Sequence, residues 1–116
     1  MSKREILLLL DDMLQSAQKI KRYTKDLDYN SFVSDDKTID AVVRNFEIIG
    51  EAANRIDPDF RDNKSQIEWK RIRGFRNRII HDYFGIDYEI VWSIIDTYLD
   101  EMIDWLDTII ENNKVT

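Results

Sequence analysis

Apolar residues recur along this chain every three or four positions in long runs, and the runs are divided by short polar stretches rich in Asp, Asn, Ser and Pro. From about Ser2 to Asp26, Ile6, Leu10, Met13, Ala17 and Ile20 form one stripe, widened by Leu9 and Leu14. That spacing predicts a long amphipathic helix. Leu7 and Leu8 fall partly outside the stripe. They read first as a broad core face, with a second face against another subunit as the alternative. Leu27 to Ser34 is mixed in character and reads as a connector, after which Ser34, Asp35 and Asp36 are N-cap candidates for a second helix reaching about Ile56.

The second stripe is Ile39, Val42, Val43, Phe46, Ile49 and Ala53, and Gly50, Ala52 and Ala53 keep one side narrow enough for a neighbouring backbone. Asp57-Pro58-Asp59 ends that helix, and the polar stretch to Gln66 reads as a loop. A third helix is expected over about Ile67 to Tyr83, with Trp69, Ile72, Phe75 and Ile79 on its buried side. Gly85 breaks the pattern, and Asp87 caps a fourth helix carrying Val91, Ile94, Ile95, Tyr98, Met102, Leu106 and Ile109 to about Glu111. Residues Asn112 to Thr116 are expected to fray. No segment alternates with period two over a useful length and no repeat is present, so the pattern predicts one all-α domain over residues 1–116, a four-helix up-and-down bundle.

Charge changes this picture at one place. Lys70, Arg71, Arg73, Arg76 and Arg78 lie between Lys70 and Ile80 with no acid among them, in a chain whose formal net charge is -6. Such a local inversion suggests an anionic partner. Between Asp82 and Asn113 every charged residue is acidic. The fourth helix is therefore a negative wall that confines a polyanion to the other side. Lys19, Lys21, Arg22 and Lys25 gather at the end of the first helix, where cations suit the helix dipole without any nucleic acid.

The only histidine, His81, follows the basic run. On an ideal helix Arg73, Asn77 and His81 share a face, whereas Arg76 meets His81 only if its side chain curls back or the helix unwinds near Gly85. Taken alone, a histidine at a helix C-terminus is equally read as a favourable partner of the dipole, with the arginines as a solvated surface. With no cysteine there is no disulfide framework or thiolate nucleophile, and one histidine leaves little for a transition metal. We expect no metal and no cofactor. The apolar run Ile6 to Leu10 is too short to span a bilayer, so the expected location is cytoplasmic, with no membrane partner.

The segment Arg76-Asn77-Arg78-Ile79-Ile80-His81-Asp82-Tyr83 fits the pattern R-x4-H-x-Y with a polar residue after the arginine, and it resembles the HepT toxins of the HEPN superfamily. The resemblance extends to Ile49-Gly50-Glu51-Ala52-Ala53, to Trp69, to Phe84-Gly85-Ile86-Asp87 and to Ile90-Val91-Trp92, and so runs in order along roughly the whole chain. Glu51 is given no catalytic role. The resemblance implies a HEPN bundle that pairs as a homodimer, a metal-independent endoribonuclease with Arg76, Asn77 and His81 as catalytic residues, and 2',3'-cyclic phosphate products. From spacing alone, Asn77 either orients His81 from one turn before it or is a polar surface residue. Lys70, Arg71, Arg73 and Arg78 are the candidate RNA contacts, although some are equally suited to pairing with the acidic fourth helix.

The resemblance also implies that Tyr83 accepts AMP groups from a partner minimal nucleotidyltransferase, the antitoxin. The plainer alternative for Tyr83 is a packed ring with a hydrogen-bonded hydroxyl. Two other classes compete with the toxin: a non-catalytic subunit that binds substrate or partner for a nucleotidyltransferase, and a structural dimer whose basic patch docks an acidic protein.

Overall fold

The structure is a computed structural model that describes residues 1–64, 66–81 and 85–114. Helix α1 (Lys3–Thr24) is capped by Ser2, whose hydroxyl accepts from the Glu5 amide, and it ends with Lys21 and Arg22 in its last turn. Helix α3 (Asp36–Arg55) is capped by Asp35, whose carboxylate accepts from the Thr38 amide and hydroxyl at 3.1 and 2.7 Å. The two polar stretches expected to be irregular each contain a short helix, α2 (Tyr29–Val33) and α4 (Pro58–Asp62). The cause is the same in both. Asp28 and Asp57 each present a carboxylate to an amide at a helix start, and Pro58 sits where its missing N–H costs nothing.

The third helix departs most from expectation. It divides at Gly74 into α5 (Trp69–Arg73) and α6 (Phe75–Ile79), and helical structure stops at Ile79 instead of continuing to Tyr83. Ile80 is already extended, and the two-residue strand β1 (Ile80–His81) pairs antiparallel with β2 (Gly85–Ile86). Three features favour the exit from helix. Two β-branched isoleucines prefer a pleated surface. Gly85 adopts φ +78°, which L side chains rarely tolerate. The Asp87 amide donates to the Ile79 carbonyl at 2.8 Å, closing the ladder.

Helices α7 (Tyr88–Thr97) and α8 (Leu99–Lys114) together form the expected fourth helix, bent at Tyr98. The Tyr98 amide still donates to Ile94 and its carbonyl still accepts from Met102, so the hydrogen-bond ladder bends without ending. Asp87 caps α7, as its position suggested. Residues Asn112 to Lys114 remain helical, contrary to the expected fraying, and Asn113 donates to the Ile109 carbonyl.

Around the bundle, α1 packs on α3 and α8, α3 packs on α5 and α6, and α6 packs on α7. The N-terminal ammonium lies 3.9 Å from Asp57, beyond the end of α3, and Lys21 near the end of α1 pairs with Asp100 near the start of α8. Both pairs lie between antiparallel neighbours. At Gly50 the backbones of α3 and α5 come close, since a Cβ there would lie 3.4 Å from the Ile72 carbonyl oxygen. The core runs through a series of edge-to-face rings, Phe46 on Phe75, Phe75 on Tyr98 and Tyr98 on Trp105. At one end, Phe32 and Tyr29 of α2 both contact Trp92 of α7.

The predicted stripes are the buried faces, with Ile95 only partly buried. Leu7 packs partly on the core, but Leu8 is 57% exposed and does not belong to a broadened core face. Arg61 is the unexpected core cation. Its guanidinium donates to the Ala53 carbonyl at 3.2 Å near the end of α3, where a positive charge suits the dipole, although burial lowers its basicity. Among the described residues no helix is long and apolar enough to cross a membrane.

Candidate active site

His81 leaves the bundle surface on β1. Along this extended pair side chains alternate, so half-buried Ile80 faces the core while His81 faces out. The expected shared helical face of Arg73, Asn77 and His81 does not form, because the backbone becomes extended after Ile79. The chain leaves the helix at Ile79, already before His81.

The His81 side chain is 47% exposed, with Nε2 at 3.5 Å from a carboxylate oxygen of Asp87, whose side chain is about one-third exposed. Asp87 is not free to move. Its other oxygen accepts from the Ile90 amide at 3.1 Å and its own amide donates to Ile79. One residue therefore ties together the end of α6, the start of α7 and the histidine. His81, Asp87, Ile86, Tyr88, Glu89 and Tyr29 line a recess of about 350 Å³. A second recess of about 340 Å³, between Tyr29 and Thr97, shares Tyr29 and Glu89 with the first.

The cations divide into two groups. Arg76, Asn77 and Arg78 are exposed on α6, immediately before His81, and Lys70 is exposed on α5. Arg73 is also exposed, yet its Nε donates to the Asn54 side chain at 2.9 Å. Arg71 is turned inward instead. Its guanidinium lies 3.9 Å from the centre of the Tyr98 ring and 3.3 Å from the Glu68 carboxylate, which joins α5 to the fourth helix. The Tyr98 hydroxyl is buried, and burial together with the nearby Glu68 charge raises its pKa well above the ordinary phenol value. No described residue hydrogen-bonds Asn77 to His81. Tyr83 lies outside the described residues. So does Asp82.

The sequence marks Asp87 only as a helix cap, and no pattern in it singles out Tyr29, Tyr88 or Glu89. An Asp six residues after the only histidine carries no periodic signal, and the hairpin that brings the two together is invisible to a helical reading. Among the described residues no group of three or more His, Asp or Glu side chains is placed to hold a metal ion. The geometry offers one proton-transfer group, a carboxylate behind it, and exposed cations one turn before it. Such a set suits proton transfer beside a phosphate, with one imidazole per chain.

A family model described as ribonuclease HepT-like matches residues 13–109. A relative from Methanocaldococcus jannaschii that is named as an RNase is 46% identical over 95 residues, covering 82% of this chain and 87% of its own. A second RNase-named protein of the same organism is 36% identical over 112 residues, covering 97% and 93%. A Thermococcus cleftensis protein bearing the ribonuclease HepT name is 35% identical over 86 residues, covering 74% and 78%. No solved structure matches the chain significantly.

Proposed function

The chain belongs to the HepT-like ribonuclease family, and on that premise we propose that it is a metal-independent endoribonuclease toxin whose active site is completed by a second copy of itself. The observation that carries this reading is His81, half exposed beside Asp87 and directly after the Arg76–Arg78 turn. In the reaction, a base removes the proton of a ribose 2'-hydroxyl and the 2'-oxygen bonds to the adjacent phosphorus. The bond from phosphorus to the 5'-oxygen breaks as an acid protonates that oxygen. The products are a 2',3'-cyclic phosphate and a 5'-hydroxyl end.

One imidazole per chain supplies one proton carrier. A two-fold dimer supplies two, with His81 of one protomer as base and that of the other as acid, while paired Arg76 side chains stabilise the charge gathering on phosphorus. Asn77 borders this cleft as a polar contact. Lys70, Arg73 and Arg78 are the phosphate-docking cations, with Arg71 held behind them.

Control is proposed to act through Tyr83. Its phenolic oxygen attacks the α-phosphorus of ATP on a partner nucleotidyltransferase, losing its proton as pyrophosphate departs. The attached AMP brings negative charge and bulk two residues from His81, where substrate phosphate must bind. Incubation with RNA in excess EDTA tests the enzymatic reading. Cleavage leaving 2',3'-cyclic phosphate ends is expected, and a protein that binds RNA without cutting it would favour the non-catalytic subunit instead.

A further inference from the structure

The role of Asp87 reaches beyond capping. Its carboxylate has two oxygens with separate tasks, one accepting from the Ile90 amide to cap α7 and the other lying 3.5 Å from His81 Nε2. Its backbone is pinned by the bond to Ile79, so the second oxygen cannot follow the histidine about. Glu89, Tyr29 and Tyr88 line the same recess. Among the described residues, however, Asp87 is the one acid at ion-pair distance from the imidazole.

An exposed pair at this separation contributes little to stability, because solvent screens it and the flexible partner loses entropy. Orientation is what a fixed carboxylate supplies to a histidine: it selects which ring nitrogen carries the proton. Resting on the ribonuclease reading, we infer that Asp87 is a positioning residue that holds His81 with its Nε2–H toward the carboxylate, leaving Nδ1 as the nitrogen that exchanges a proton with RNA. The group that caps the start of α7 and the group that orients the catalytic ring are then one side chain. This explains in physical terms why His81 sits on a hairpin.

The capping and positioning roles separate by substitution, since Asn and Ser both cap helices well. In Asp87→Asn the amide oxygen keeps the Ile90 bond while the NH2 group faces Nε2, which forces the proton onto Nδ1. Asp87→Ser keeps the cap and withdraws the partner altogether. Thermal midpoints of both variants should stay near the wild type. kcat should fall about tenfold to a hundredfold in Asp87→Asn and less in Asp87→Ser, with KM little changed. Independently of activity, nitrogen NMR of the neutral imidazole should find Nε2 protonated in the wild type and Nδ1 protonated in Asp87→Asn. Unchanged nitrogen shifts between those two proteins overturn the assignment to Asp87. So do wild-type kcat values in both variants alongside an inactive His81→Ala. A wild-type protein that fails to cut RNA overturns the ribonuclease reading instead, and the NMR comparison separates the two failures.

Discussion

The Ile79 carbonyl accepts the Asp87 amide at 2.8 Å, and this bond closes the hairpin that lifts His81 out of the helical ladder. Ile79 is almost fully buried on α6, while Asp87 begins α7. The position of the histidine thus depends on a contact between core and cap more than on its own side chain.

The hairpin depends in turn on Gly85, at φ +78°. Among the described residues a Cβ added there meets no neighbour within 4 Å, so the cost of Gly85→Ala is chiefly conformational, about 1–2 kcal/mol. Urea unfolding should report a lower midpoint, and Gly85→Asn should lose less because Asn tolerates the left-handed region. Equal midpoints for alanine and wild type would mean that the hairpin has another route.

Gly50 behaves oppositely. It lies mid-helix in α3, where an added Cβ would sit 3.4 Å from the Ile72 carbonyl oxygen, an ordinary contact distance. Alanine just fits and improves helix propensity, so Gly50→Ala should be neutral or stabilising by up to about 1 kcal/mol. Gly50→Leu must push α5 away, and should destabilise by about 1–3 kcal/mol. Denaturant titration of the pair measures the tightness of the α3–α5 contact.

Asp35 links stability to pH. Thr38, through its hydroxyl and its amide, holds the Asp35 carboxyl below its ordinary value near 3.8. A group with a depressed folded pKa stabilises above its unfolded pKa, and that contribution is lost as pH falls through the folded value. Thermal midpoints of the wild type should therefore drop below about pH 4. Asp35→Asn retains a cap without the titration, so its acid limb should be shallower. Superimposable profiles would remove Asp35 from the linkage.

The cations of α5 and α6 should separate by consequence. Arg71→Ala loses the stacking on Tyr98 and should destabilise by about 1–2 kcal/mol. Arg78→Ala, fully at the surface, should leave stability within about 0.5 kcal/mol while weakening RNA binding and reducing its salt dependence. Thermal melts and binding at two salt concentrations resolve the two. A stable Arg71→Ala variant with lost RNA affinity would reverse the assignment.

Much of this was legible in the chain. Ile39, Val42, Phe46 and Ile49 repeat at helical spacing and are all buried, and Asp35 and Asp87 cap helices where a polar residue precedes an apolar stripe. What escaped was geometry set by tertiary contacts. Ile72, Phe75 and Ile79 keep helical spacing across the division at Gly74, so periodicity does not reveal it. The stripe stops at Ile79 without announcing that Ile80 is extended. The inward turn of Arg71 depends on Tyr98, which is distant in sequence, and no local pattern distinguishes Arg71 from Arg78.

His81 is the one histidine each chain brings to the proposed reaction. Purified wild type and His81→Ala, matched by circular dichroism, are to be incubated with the same labelled RNA in excess EDTA and compared by initial rate. Because the imidazole is half exposed, its removal should leave the fold intact. Removing the proton carrier should lower the cleavage rate by at least about a hundredfold. A folded His81→Ala protein that cuts RNA at the wild-type rate would contradict the central claim.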